Sequence, residues 1–170
     1  MRFCDDARLD RIAEAFARVI DAKSPFTARH SENVAQIADG IAEVLDFDPV
    51  ARRILRRAGL LHDIGKLAIS NRILDKPGKL SDEEFGAIKT HPVHTLRILE
   101  RAPCFAELAD LAANHHEKLD GSGYPRSLRA GDLDVSMRVF AVADVRDALE
   151  EHLARTSRRV IDRPETPGVV

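Results

Sequence analysis

Along most of the chain, apolar residues return every three to four positions, the repeat of one buried face on an α-helix. Leu9, Ile12, Ala13, Phe16, Val19 and Ile20 form a first stripe, Val34, Ile37, Ala38, Ile41 and Leu45 a second, and Ala51, Ile54, Leu55 and Ala58 a third. The turn-rich DKPGKL at 75–80 separates these from a helix that Ser81 and Glu84 would open as a capping box, with Phe85 and Ile88 on it. Pro92 suits a first helical position and not an interior, so a break is expected at Thr90 and His91, with Leu96 and Leu99 on the helix beyond. Phe105, Leu108, Ala109 and Ala112 make another stripe, brought to an end by Gly121 and Gly123, and Met137, Phe140, Ala141, Val145 and Ala148 make the last. No segment sustains the alternation of a strand. The pattern predicts an all-α fold, a compact bundle of about six to eight helices. One domain is expected over residues 1–154, followed by a polar C-terminal tail at 155–170.

Composition narrows the chemistry. A chain of 170 residues can bury one sizeable core. Its formal charge of -2, with no basic stripe carrying interleaved aromatics, speaks against DNA or RNA as a partner. No apolar run approaches the ~20 residues of a membrane span. Acids occupy MRFCDDARLDRI where a signal peptide would have its apolar stretch, so the chain reads as cytoplasmic, with no membrane insertion. Cys4 and Cys104 lie far apart and outside any Cys-x-x-Cys spacing, which leaves imidazole and carboxylate as ligands for any metal.

Several polar residues fall on the apolar faces. His30 precedes Val34 by four positions, His62 follows Ala58 by four, Asp144 follows Phe140 by four, and His115 or His116 continues the stripe of Ala109 and Ala112. One inward histidine is ordinarily a hydrogen-bonded core residue. An inward aspartate with several imidazoles is different, because a buried carboxylate is costly unless paired with cations or metal. A divalent ion binds neutral imidazole and ionised carboxylate together. The adjacent His62 and Asp63 add a carboxylate with a second oxygen free to bridge, the device by which two-metal hydrolases hold their ions roughly 3.5–4 Å apart. Residue type and periodicity alone therefore point towards a dinuclear phosphohydrolase.

LLHDIGK, around His62 and Asp63, resembles the signature of the HD superfamily of metal-dependent phosphohydrolases. HHEKLDGSGYP, ending in Gly123, Tyr124 and Pro125, resembles the extended signature of its HD-GYP branch. The likeness covers residues 22 to 149 and includes ARHSENVAQIA, LDKPGKL, THP and VFAVADVRDAL in order. It implies an HD-type helical bundle that hydrolyses cyclic di-GMP with Fe or Mn ions, or else Mg, Ni or Zn. It further implies that His30, His62, Asp63 and Asp144 hold one ion, and that Asp63 bridges to a second ion held by His91 and the His115–His116 pair. Lys66 would meet the substrate phosphate or the attacking water, and Gly123, Tyr124 and Pro125 would shape the substrate mouth. Glu117 and Asp120 read as solvated helix-end charges, and His94 and His152 as surface residues.

The chain departs from the family pattern in three places. Phe26 stands where some members carry a glutamate for a third ion, so two ions are expected. Thr95 replaces a usual glycine and would add bulk close to the second ion. Leu153 takes the place of an arginine that meets substrate phosphate, and losing such a charge-assisted contact weakens binding by ~1.5–3 kcal/mol. Arg155 or Arg158 could substitute for it. An alternative follows: a metal-bound, weakly active or inactive signalling module that binds nucleotide or a partner such as a diguanylate cyclase or receiver domain. A homodimer is also compatible with the sequence.

Overall fold

The computed structural model describes residues 5–23 and 29–161, with side chains as far as Leu153. Cys4, Phe26, the side chains of Arg155 and Arg158, and residues 162–170 lie outside the described residues. The chain folds into α1 (Asp6–Asp21), α2 (His30–Val44), α3 (Pro49–Leu61), a 3-10 turn (Ile64–Ala68), α4 (Asn71–Leu74), α5 (Asp82–Ile88), α6 (His91–Glu100), a second 3-10 turn (Ala106–Leu108), α7 (Ala109–Ala113) and α8 (Val135–Ile161). The fold is all-α, and the only β pairing among the described residues is an isolated bridge between Asp120 and Arg129.

Local chemistry sets the helix starts. The Asp48 carboxylate accepts the Val50 and Ala51 amides at 2.8 and 3.1 Å, and Pro49 supplies the first turn of α3. Ser81 and Glu84 close the expected capping box on α5. Pro92 sits in the first turn of α6, which opens at His91 as the break required.

The packing uses small residues. α2 lies along both α3 and α8, α1 covers α2 and α3, and α6 rests on the first 3-10 turn and on α7. Ala13, Ala17, Ala35, Ala38, Ala42 and Ala58 are buried among these helices. At the closest approach of α2 and α3, a Cβ on Gly59 would fall onto the backbone of Ala35, so glycine is needed there. Arg57, buried on α3, reaches Asp10 at 2.7 Å and Asp6 at 2.8 Å and ties α1 down.

Three differences from expectation stand out, two in helix faces and one in a helix end. On α1, Ala17 is buried while Phe16 and Val19 are exposed, because the inner face is the narrower row of Leu9, Ala13, Ala17 and Ile20. On α8, the buried face is Phe140, Ala143, Asp144 and Asp147, and Val145 and Ala148 point outward. Two carboxylates occupy that inner face, so hydropathy alone extends the stripe of Phe140 to Val145 and Ala148, which lie outside it. α8 also continues to Ile161, so the boundary drawn at 154 falls inside a helix.

Candidate metal centre

Five helix ends or faces deliver the inward polar groups to one place. His30 is the first residue of α2, His62 and Asp63 follow α3, His91 opens α6, His115 and His116 follow α7, and Asp144 lies on α8. The start of α2 is fixed by Asp21 at the end of α1, whose carboxylate accepts the Ser31 hydroxyl at 2.6 Å and its amide at 3.3 Å. His30, His62, Asp63, His91, His115 and Asp144 are buried, and His116 is partly buried.

The imidazoles are oriented by what their outer nitrogens touch. His62 Nδ1 donates to the Gly59 carbonyl at 2.8 Å, His91 Nδ1 to Ile88 at 2.8 Å and His115 Nδ1 to Ala112 at 2.7 Å. His30 Nδ1 donates to Asp147 Oδ2 at 2.7 Å. Carbonyls and carboxylates only accept, so each Nδ1 carries the hydrogen, and in the neutral ring each Nε2 presents a lone pair. Those Nε2 atoms face one another: His30 and His62 are 3.2 Å apart, and so are His91 and His115. Bare nitrogens at that separation repel unless a proton or a metal ion lies against them.

Asp63 stands between the two pairs. Its Oδ2 lies 3.4 Å from His62 Nε2 and 3.7 Å from His30 Nε2, while its Oδ1 lies 3.2 Å from His91 Nε2 and 4.0 Å from His115 Nε2. Asp144 spans the same gap, with Oδ1 3.3 Å from His30 Nε2 and Oδ2 3.6 Å from His116 Nδ1. Among the described residues four donor sets converge: His30 with His62 and Asp144, His91 with His115 and His116, His62 with Asp63 and His115, which joins the first two, and His30 with Asp147 and Glu151.

The electrostatics differ between the halves. Burial disfavours charge on His30, but hydrogen bonds with Asp144 and Asp147 outweigh it and raise the ring to about 10. Burial, reinforced by the neighbouring His116 and His62, drives His115 well below its usual range. Burial likewise lowers His116 to about 4. For Asp63, burial favours the neutral acid, yet the Lys66 ammonium and His62 prevail and hold the carboxyl well below the ordinary range. Lys66 Nζ sits 2.5 Å from Asp63 Oδ2. Asp63 Oδ1 has no hydrogen-bond donor among the described residues. A buried carboxylate oxygen facing bare imidazole nitrogens fits a divalent cation and fits little else.

Several contributors are not visible in linear sequence. Asp147, buried behind His30, provides the carboxylate–histidine support common behind metal ligands. Its placement three residues beyond Asp144 on the same helix is the signal that could have found it. Glu117 is not a solvated charge: it is buried, and its carboxylate accepts the Arg126 amide at 2.6 Å and the Leu128 amide at 2.9 Å. It thereby pins the loop carrying Gly123, Tyr124 and Pro125 against the donor cluster at His116. A Cβ on Gly123 would overlap the backbone of 116–118, over which the loop folds back. Tyr124 packs against His116, with ring centroids 4.7 Å apart, and burial raises its phenol so that it keeps its hydrogen. Asp120 is exposed and accepts the Ser122 amide at 2.9 Å.

Thr95 does not crowd the second donor group as expected. Its hydroxyl donates to the His62 carbonyl at 2.6 Å and accepts the Gly65 amide at 3.0 Å, clamping the His62–Asp63 turn to α6. His94 is partly buried and His152 exposed, and neither belongs to the donor groups.

The Glu117 brace has a measurable consequence. Glu117→Ala leaves two loop amides without their charged acceptor, which lowers unfolding free energy by about 2–4 kcal/mol. Glu117→Gln, which retains one acceptor oxygen, recovers part of that loss. Urea titration of the three proteins measures both effects.

Residues 14–162 match the sequence profile of the family described as HD domain. The chain is 47% identical over 159 residues to the 3'3'-cGAMP-specific phosphodiesterase 3 of Vibrio cholerae, covering 94% of this chain and 35% of that protein. It is 41% identical over 141 residues to a cyclic di-GMP phosphodiesterase of Thermotoga maritima, covering 82% of this chain and 37% of that one. The chain thus spans about a third of the length of these curated relatives. Among solved structures, Bd1817, a HDG"Y"P protein from Bdellovibrio bacteriovorus, superposes with a TM-score of 0.64 at 20% identity, over 88% of this chain and 53% of that one, a likeness of fold.

Proposed function

Because the chain belongs to the HD-GYP branch of the HD superfamily of metal-dependent phosphohydrolases, we propose that it is a dinuclear phosphodiesterase that opens a 3'3'-linked cyclic dinucleotide with water. The observation that carries this reading is Asp63, whose two oxygens face two separate imidazole groups while one of them lacks any hydrogen-bond donor among the described residues. His30, His62 and Asp144 would hold one divalent ion, His91, His115 and His116 the other, and Asp63 would be shared. Mixed imidazole and carboxylate donors suit iron or manganese. When bound, the ions supply Lewis acidity towards the phosphodiester and acidify water held at the site.

The chain's own groups do the rest. Asp147 fixes the ring of His30, and the carbonyls of Gly59, Ile88 and Ala112 fix those of His62, His91 and His115, so the donors are in place before substrate arrives. Water forms the new bond to phosphorus, the bond to one ribose oxygen breaks, and that oxygen leaves with a proton. Lys66 sets an ammonium at the partly exposed rim of the site, where it would meet phosphate, and the neutral Tyr124 phenol offers a hydrogen bond from the side of His116. Relatives named for 3'3'-cGAMP and for cyclic di-GMP match with comparable identity. Both nucleotides offer a 3'–5' phosphodiester next to guanosine, so the proposal is made for the class, with cyclic di-GMP and 3'3'-cGAMP as parallel arms of the test.

Protein loaded with Mn²⁺ or Fe²⁺ is expected to convert at least one of the two to a linear product. Two bound ions without turnover of either would leave the alternative of a metal-bound signalling module, which Leu153 favours: it is exposed on α8 and brings no cation to substrate. Lys66→Ala is expected to retain both ions, because it frees Asp63 Oδ2, while slowing turnover by roughly 10²–10³-fold, the scale of losing one charge-stabilising donor. Metal content and initial rate, measured on the same preparation, separate the two effects.

A further inference from the structure

The outer face of α8 is apolar. Val142, Val145, Leu149 and Leu153, spaced three and four residues apart, are 58%, 55%, 57% and 63% exposed. With Ala141 they line one continuous groove, on which Arg146 and Glu150 are the charged residues among those described. Isolated exposed apolar residues are ordinary, but an unbroken row over three turns of one helix is the pattern of a helix–helix seam. This row faces away from the metal site, since the opposite face of α8 carries Asp144 and Asp147 inward.

We propose that this face joins two copies of the chain, α8 against α8, antiparallel about a two-fold axis level with Ala148. The charges select that arrangement. Arg146 and Glu150 lie on the same flank of the row and are bonded to each other at 2.7 Å within one helix. In an antiparallel two-fold pair the same flank of both helices meets. Arg146 then faces Glu150 of the second copy, and Glu150 faces the second copy's Arg146. A parallel pair would set both charges against the flank carrying Ala141 and lose that reciprocal pairing. The surface is thus self-complementary in sign, as an isologous interface requires. It is independent of the reaction carried out at the metal centre.

Sedimentation velocity on the whole chain over a concentration series is expected to show a reversible dimer, lost in Leu149→Glu while the far-ultraviolet circular dichroism and metal content stay at parent levels. The orientation is read by oxidation in a Cys4→Ser, Cys104→Ser background. Leu149→Cys, next to the axis, is expected to form a covalent dimer. Val135→Cys, on the same exposed face but far from the axis, is not. A monomer at every concentration, as expected if the row seats a different chain, overturns the proposal. So does a dimer that persists in Leu149→Glu, or cross-linking of both cysteine variants.

Discussion

Asp63→Ala is expected to lower turnover of a cyclic dinucleotide by roughly 10⁴–10⁶-fold, the scale seen when one member of a cooperating catalytic unit is removed. The size of the effect follows from where the carboxylate stands. Oδ2 faces His30 and His62, and Oδ1 faces His91 and His115, so one substitution removes a donor from both groups at once. Metal content should therefore fall at both positions, in contrast to Lys66→Ala, where it should not. The substitution also strands the partly buried Lys66 ammonium, whose charge Asp63 supports. Asp63→Asn, which keeps the shape but not the charge, should show the same loss of activity. Near-parent turnover in either variant would exclude Asp63 as the shared ligand.

Removing metal is expected to lower the melting temperature. Five imidazoles and two carboxylates converge in a buried space, and the half around His91, His115 and His116 leaves Asp63 Oδ1 without a hydrogen-bond donor among the described residues. An ion bound there stabilises the folded chain by about 4 kcal/mol when its free concentration is a thousandfold above its dissociation constant. For a chain of this size, that corresponds to roughly 8–16 °C. Calorimetry of chelator-treated protein, before and after adding Mn²⁺ back, measures the shift. Identical melting temperatures in protein shown to bind ions would mean that the cluster is satisfied without them.

Much of this arrangement can be read along the chain, for identifiable reasons. Helices α1 to α3 follow from apolar periodicity, and α5 and α6 from a capping box and a proline, because those signals are local. His30, His62 and Asp144 betray themselves as polar groups at positions where the period demands apolar ones. What escapes is what depends on chain segments meeting at a distance. Glu117 looks like a helix-end charge until the loop at 126–128 folds back onto it. Thr95 looks like bulk beside a ligand until its hydroxyl is seen between the His62 carbonyl and the Gly65 amide. On α8 the inner face carries Asp144 and Asp147 beside Phe140 and Ala143, while Val142, Val145 and Leu149 lie outside, so hydropathy alone wrongly adds Val145 to the inner stripe. A helix that buries carboxylates and exposes valine defeats any rule that equates apolar with inside.

The shared-ligand arrangement can be tested without reference to any substrate. Crystals of the parent protein loaded with Mn²⁺, measured near the manganese absorption edge, locate each ion by its anomalous scattering. Two peaks are expected, one against His30, His62 and Asp144 and one against His91, His115 and His116, with a different oxygen of Asp63 on each. A single peak, or two peaks of which Asp63 touches only one, would contradict the dinuclear site.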